Sequence, residues 1–305
     1  MIENSHSSIK PLLMHKPFSL LKLLLSIFLI FIPIISQAAE SELEEALLAY
    51  ESGDFTVALA KYSELANRGD VEAQVRLGSM YDNGEGVDEN IVESGRLFNL
   101  AAEAGNAEAL VAIGDRFFSG LNGIPDNEEA YRLFQQASEQ GYAPAQVKLA
   151  NMYFNGQGVD QDIEEALGYY SIAADQGDEQ ALVALGNLYS TGQGVERDLD
   201  EAVRLYQLAS DQGYAPAQVN LGNQYYLGQG VQQNFDTAIE LYELAAEQYF
   251  SPAQVFLGNI YTDGIAVNQD YERARILFLE AADQSDQDAI FMLGYLVENG
   301  FGVEA

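Results

Sequence analysis

Glycines set beside carboxylates are the first residues in this chain that could do chemistry. Asn151 to Ala166 reads NMYFNGQGVDQDIEEA, and the pattern returns as NLYSTGQGVERDLDEA from Asn187 to Ala202 and as NQYYLGQGVQQNFDTA from Asn223 to Ala238. Glycine-rich backbone can cradle a phosphate, but a P-loop also needs a preceding strand and a Lys-Ser or Lys-Thr pair, and neither is present. The carboxylates offer oxygens to calcium, yet their spacing lacks the terminal glutamate of a hand-type loop. Imidazole and thiolate chemistry have almost no donors: both histidines, His6 and His15, lie at the N-terminus, and the chain has no cysteine. A carboxylate pair acting on glycan bonds needs only Asp and Glu, which are abundant, so a hydrolase stays as a rival reading. No pair stands out from the recurring loop, however, and neither a cofactor nor a metal is expected.

The recurrence turns the loop into a structural question, because a fixed period is the mark of a stacked repeat. Every 36 residues a column holds Gly69, Gly105, Gly141, Gly177 and Gly213, continued by Tyr249 and Ser285. In the same step run Ala73 to Ala289, Leu77 to Leu293, a ring column from Tyr81 through Tyr189 to Tyr261, and a second ring column from Tyr62 through Tyr206 to Phe278. Ala181, Leu185 and Tyr189 step by four and share a helix face, as do Ala202, Tyr206 and Ala209. Each unit is therefore two helices, and since one pair cannot bury its own apolar face, neighbours must stack. The fold class expected is all-α, a right-handed superhelical solenoid of stacked antiparallel helix pairs, with rings such as Tyr189 buried between them.

Within that frame the loop residues have positions. Gly84, Gly156, Gly192 and Gly228 fall where the first helix ends and a left-handed backbone is needed. Asn90, Asp126, Asp162, Asp198, Asn234 and Asp270 form a column of N-caps for the second helix, with Glu93, Glu129, Glu165 and Glu201 three places on as capping boxes.

Composition bounds the rest. Lys10, Lys16 and Lys22 precede an apolar run from Leu23 to Ile35 and then Ser36-Gln37-Ala38-Ala39, so residues 1–38 read as a signal peptide cleaved after Ala38. Removing it leaves 11 basic and 46 acidic residues, a surplus that repels nucleic acid and anionic membranes. The mature chain is expected in the periplasm or secreted space, without membrane attachment.

The string A-x-x-x-L-G-x-x-Y-x-x-G-x-G-V, followed by D-x-x-x-A-x-x-x-Y-x-x-A-A-x-x-G, resembles the Sel-1-like repeat, a relative of the tetratricopeptide repeat. The resemblance spans residues 70–305, as six full units and a terminal half unit, while residues 39–69 look like one plain tetratricopeptide unit. Asn122 and Ala266 depart from it at the second loop glycine, and Ala150 departs at the middle glycine of the first helix. The resemblance implies a non-catalytic adaptor that holds a partner protein or extended peptide in a concave groove; a passive or self-assembling solenoid is the alternative.

Aligned with the tetratricopeptide pattern, Asn151, Asn187, Asn223 and Asn259 point toward the groove, with Val183, Val219, Phe154 and Tyr226 beside them. A row of amides both donates and accepts, so it could read the backbone of an extended peptide, or else it could bond neighbouring helices inside the solenoid. The valines and rings could grip apolar side chains or pack repeats together. Near the end of the chain, Phe291, Leu293, Leu296 and Phe301 either form a docking edge, with a homodimer as one outcome, or Phe301 and Val303 fold back over the face of Leu293 and Val297 as a cap.

Overall fold

The computed structural model describes residues 41–121 and 123–302. The leader, Asn122 and the capping role expected of Val303 lie outside the described residues. Those residues form fifteen helices and no strand. They are α1 (41–51), α2 (Phe55–Asn67), α3 (Val71–Asn83), α4 (Ile91–Glu103), α5 (Ala107–Ser119), α6 (Asn127–Ser138), α7 (Ala143–Asn155) and α8 (Ile163–Asp175), then α9 (Glu179–Thr191), α10 (Leu199–Asp211), α11 (Ala215–Leu227), α12 (Phe235–Glu247), α13 (Ser251–Asp263), α14 (Tyr271–Asp283) and α15 (Gln287–Glu298). The chain divides into two compact units, the first ending at Ala104 and the second beginning at Gly105. In the second, each pair from α5/α6 to α13/α14 packs antiparallel, and the second helix of one pair contacts the first helix of the next.

The loop glycines and caps sit where their chemistry places them. Gly156, Gly192 and Gly228 end their helices with φ of 67°, 76° and 70°, the left-handed conformation that costs glycine little. The side chain of Asp198 accepts from Glu201 N, and that of Asp126 from Glu129 N, so the loop carboxylates are engaged as caps. The capping boxes are only half formed. The backbone N–H of Asp198 donates to Tyr189 O at 2.9 Å, and that of Asp126 to Phe117 O at 2.8 Å, closing each loop on the preceding helix. Glu201 and Glu129 are left to pair with Arg204 and Arg132.

The core corrects one expectation. The buried rings of the second unit belong to the second helices: Phe134, Tyr170, Tyr206, Tyr242 and Phe278. Tyr189, expected to fill the space between helices, is only half-buried. The reason is the glycine on the first helix that faces each second-helix ring. An added Cβ at Gly186 would lie 2.5 Å from the Tyr206 ring, so the missing side chain is what admits that ring. Ala150 occupies the same column against Tyr170 and is fully buried, so one repeat absorbs a methyl there.

A second close approach joins neighbours. A Cβ at Gly230 would lie 2.5 Å from Leu199 O, at the start of the previous pair's second helix. Ala266 stands at this column without a positive φ, so its loop takes a different backbone. Glutamines missed by the sequence reading tie pairs internally: Gln248 donates to the buried Gln218 at 2.9 Å and Gln284 to the buried Gln254 at 2.8 Å.

Tyr249 and Ser285 replace the glycines that end the second helices and keep the left-handed backbone, at φ 59° and 65°. That conformation costs a side-chain-bearing residue roughly 1–2 kcal/mol. Because Tyr249 is 75% exposed, Tyr249→Gly forfeits little packing and is expected to stabilise the chain by about 1 kcal/mol, read as a raised urea midpoint.

Candidate functional site

The asparagine ladder lies on the first helices of the second unit, and most of it is occupied. Tyr170 Oη donates to Asn151 Oδ1 at 2.6 Å, Tyr206 to Asn187 at 2.7 Å and Tyr242 to Asn223 at 2.7 Å. Burial pushes the phenols of Tyr170 and Tyr206 up to about 12, so they stay protonated and remain donors. Asn187 Oδ1 also takes the Asn220 amide of the next repeat at 3.3 Å. These three carbonyls therefore serve the helix pair. Asn259 differs: its partner in register is Phe278, which has no hydroxyl, and its amide makes no side-chain hydrogen bond among the described residues.

The valines lie in the packing between repeats. Val219 is 5% exposed, and Val183 is half-buried against the clusters on both sides of it. Their column is covered wherever a following pair stacks on it; Phe291 stands in the same column on α15 and is 73% exposed. Phe154 is half-buried in the core around α8 and α9, and its carbonyl accepts from Gln161. Tyr226 meets Phe235 edge-on, with ring centroids 5.1 Å apart.

What the structure does bring together is a pair of adjoining recesses along α13. The first, of about 260 Å³, is lined by Asn223, Tyr226, Leu227, Tyr242, Phe256, Asn259, Ile260 and Asp263. The second, of about 340 Å³, shares Phe256 and Asn259 and adds Pro252, Val255, Asp286, Asp288, Phe291 and Met292. Phe256 stacks on Tyr242 at 5.4 Å with a portion of its ring exposed. Sequence reasoning missed Phe256, although its column holds Ala184 and Asn220 in the preceding repeats and the ring is the exception there. Another hollow, of about 600 Å³, lies at the second helices among Glu243, Glu247, Tyr249, Arg273 and Glu280. There Arg273 pairs with Glu243 at 3.3 Å and covers the Tyr261 ring at 4.6 Å.

The residues of the C-terminal edge differ in exposure. Leu296 is fully buried, because it falls in the column of Leu188 and Ile260 that faces the core, and Leu293 is half-buried beside it. Phe301 folds back, but onto Tyr271, stacked at 4.3 Å, rather than over Val297, which is 61% exposed. The exposed apolar residues of α15 are Ile290, Phe291, Tyr295 and Val297. Among the described residues no cluster of ligating side chains could hold a metal ion, and no helix is long and apolar enough to cross a membrane.

Comparison with known proteins agrees with the repeat geometry. The Sel1 repeat matches residues 71–106, 107–142, 143–178, 179–214, 215–250, 251–286 and 287–305. A Sel1 repeat protein from Oxalobacter formigenes is 31% identical, with 79% of this chain and 99% of that one covered and a TM-score of 0.71. A protective antigen of uropathogenic Escherichia coli with an SLR fold is 32% identical over 79% of this chain, with a TM-score of 0.62; the match spans 52% of that longer protein. An immunity protein from Pseudomonas aeruginosa, 22% identical over 72% of this chain and 82% of that one, shares the fold at a TM-score of 0.52. No curated protein sequence matches. A 36-residue unit that recurs in sequence, folds as stacked helix pairs and matches at every turn from residue 71 onward leaves one assignment: the chain belongs to the Sel1 repeat family.

Proposed function

We propose that this protein is a non-catalytic scaffold of the bacterial envelope or secreted space, holding an extended segment of a partner protein on the first-helix face of its second unit. Family membership supports the scaffold role in general. The observation that carries the site is the apolar recess beside α13, where Tyr226, Leu227, Phe256 and Ile260 surround two asparagines. Exposed apolar surface rimmed by polar groups is the usual form of an interaction site. The leader-like N-terminus supports the envelope location, and the acidic surplus disfavours nucleic acid as a partner.

Leu227 is 58% exposed, so Leu227→Asp removes the apolar lining without emptying the core. A partner captured from an envelope extract by the full chain is expected to be lost with this variant while its melting curve stays native. Undiminished capture would move the binding face elsewhere. A second reading, self-association through Ile290, Phe291 and Val297 of α15, is favoured by their exposure, and sedimentation of the full chain over a concentration series decides it.

A further inference from the structure

The two recesses along α13 differ from the rest of the first-helix face in three respects. They carry the exposed ring Phe256, where Lys148 occupies the same column three pairs earlier and is paired with Asp115 at 2.8 Å. They are joined at Asn259, the ladder member whose amide makes no side-chain hydrogen bond among the described residues. Among the described residues their only charged lining residues are Asp263, Asp286 and Asp288.

The carboxylates divide by what they already do. Asp286 is engaged, capping α15 at Ala289 N and accepting from Ser251 at 3.0 Å. Asp263 and Asp288 are exposed and make no ion pair or side-chain hydrogen bond among the described residues, so their charges face solvent at either recess. Pro252, Phe256, Asn259 and Asp263 share one face of α13, and the helix rise sets the ends of that strip about 16 Å apart, the reach of about five extended residues.

We infer that these joined recesses bind an extended cationic segment of a partner protein, in which apolar side chains at alternate positions enter the recesses and lysine or arginine on either side meets Asp263 and Asp288. The inference rests on the groove reading above and gives its ligand a chemistry. Extension follows from Asn259: its amide supplies one acceptor and two donor hydrogens, which suit a main chain whose N–H and C=O groups are unspent, and a helical segment has already used its own. Alternate side chains of an extended segment point the same way, as two recesses on one strip require. The cationic character follows from charge complementarity, since among the described residues no lysine or arginine lines either recess and the whole chain carries a formal −33.

The test is fluorescence anisotropy of the full chain with three labelled synthetic decapeptides. One has lysines on both sides of two alternate leucines, one has glutamates for the lysines, and one keeps the lysines with alanines for the leucines. The first is expected to bind at least about tenfold more tightly than either other. Asn259→Ala, and separately Asp263→Asn with Asp288→Asn, should each weaken it about fivefold or more with little change in Tm, because none of these side chains makes a hydrogen bond or ion pair among the described residues. Equal binding of the glutamate peptide overturns the charge assignment. Equal binding of the alanine peptide reduces the effect to the overall acidity of the chain and overturns the recess assignment, as does full affinity in both variants. If no peptide binds while capture of a natural partner still depends on Leu227, this inference fails and the groove reading stands; if capture is indifferent to Leu227, the groove reading itself has failed.

Discussion

Tyr206→Ala is expected to cost about 3–5 kcal/mol, the range for removing an aromatic side chain from a packed core. The ring is 2% exposed, lies over Gly186 and donates its hydroxyl to Asn187. Truncation therefore leaves both a void and an amide oxygen without its strongest donor. The two contributions separate in a pair of variants: Tyr206→Phe keeps the ring and should lose only about 1 kcal/mol, as a single net hydrogen bond does. Phe278 already plays that part in its own repeat. Tyr189→Ala should cost less than Tyr206→Ala, because its ring is half-buried. Since repeats touch only their neighbours, hydrogen exchange in Tyr206→Ala should rise first in α9 and α10. Equal losses for Tyr189 and Tyr206 would undo the assignment of the core to the second-helix ring.

Gly230→Ala is expected to lose about 2–5 kcal/mol, combining roughly 1–2 kcal/mol for a left-handed backbone with about 1–3 kcal/mol for displacing a packed neighbour. Gly230 has φ 69°, and the new methyl would meet Leu199 O at 2.5 Å, a backbone atom held in a helix start that cannot swing aside. Gly213→Ala is the control. It has φ 87° and open space where its Cβ would go, so only the backbone contribution remains. Urea unfolding of the two variants side by side isolates the contact between repeats, and equal losses would show that this loop glycine is needed for its turn alone.

The period, the helix pairs, the caps and the helix-ending glycines were legible in the sequence because each depends on chemistry within a few residues of itself. An Asp three places before a free N–H, or a glycine where φ must be positive, acts the same way in every repeat, so recurrence amplified a local signal. The partnership of each column was not legible. Two ring columns recur equally well, and periodicity alone cannot say that Tyr206 rather than Tyr189 fills the core; that follows from Gly186, which has no Cβ to hold the ring away. The valine column likewise allows either a groove stripe or inter-repeat packing until the next pair stacks on it and buries Val219, while Phe291 in the same register stays exposed. The asparagines illustrate the division most closely. Their spacing put them on one face, but only the packed structure gives Asn151, Asn187 and Asn223 to tyrosine hydroxyls nineteen residues away and leaves Asn259 opposite Phe278. A hydrogen bond is decided by what a neighbouring helix presents, and that neighbour is chosen by packing, which no single helix encodes.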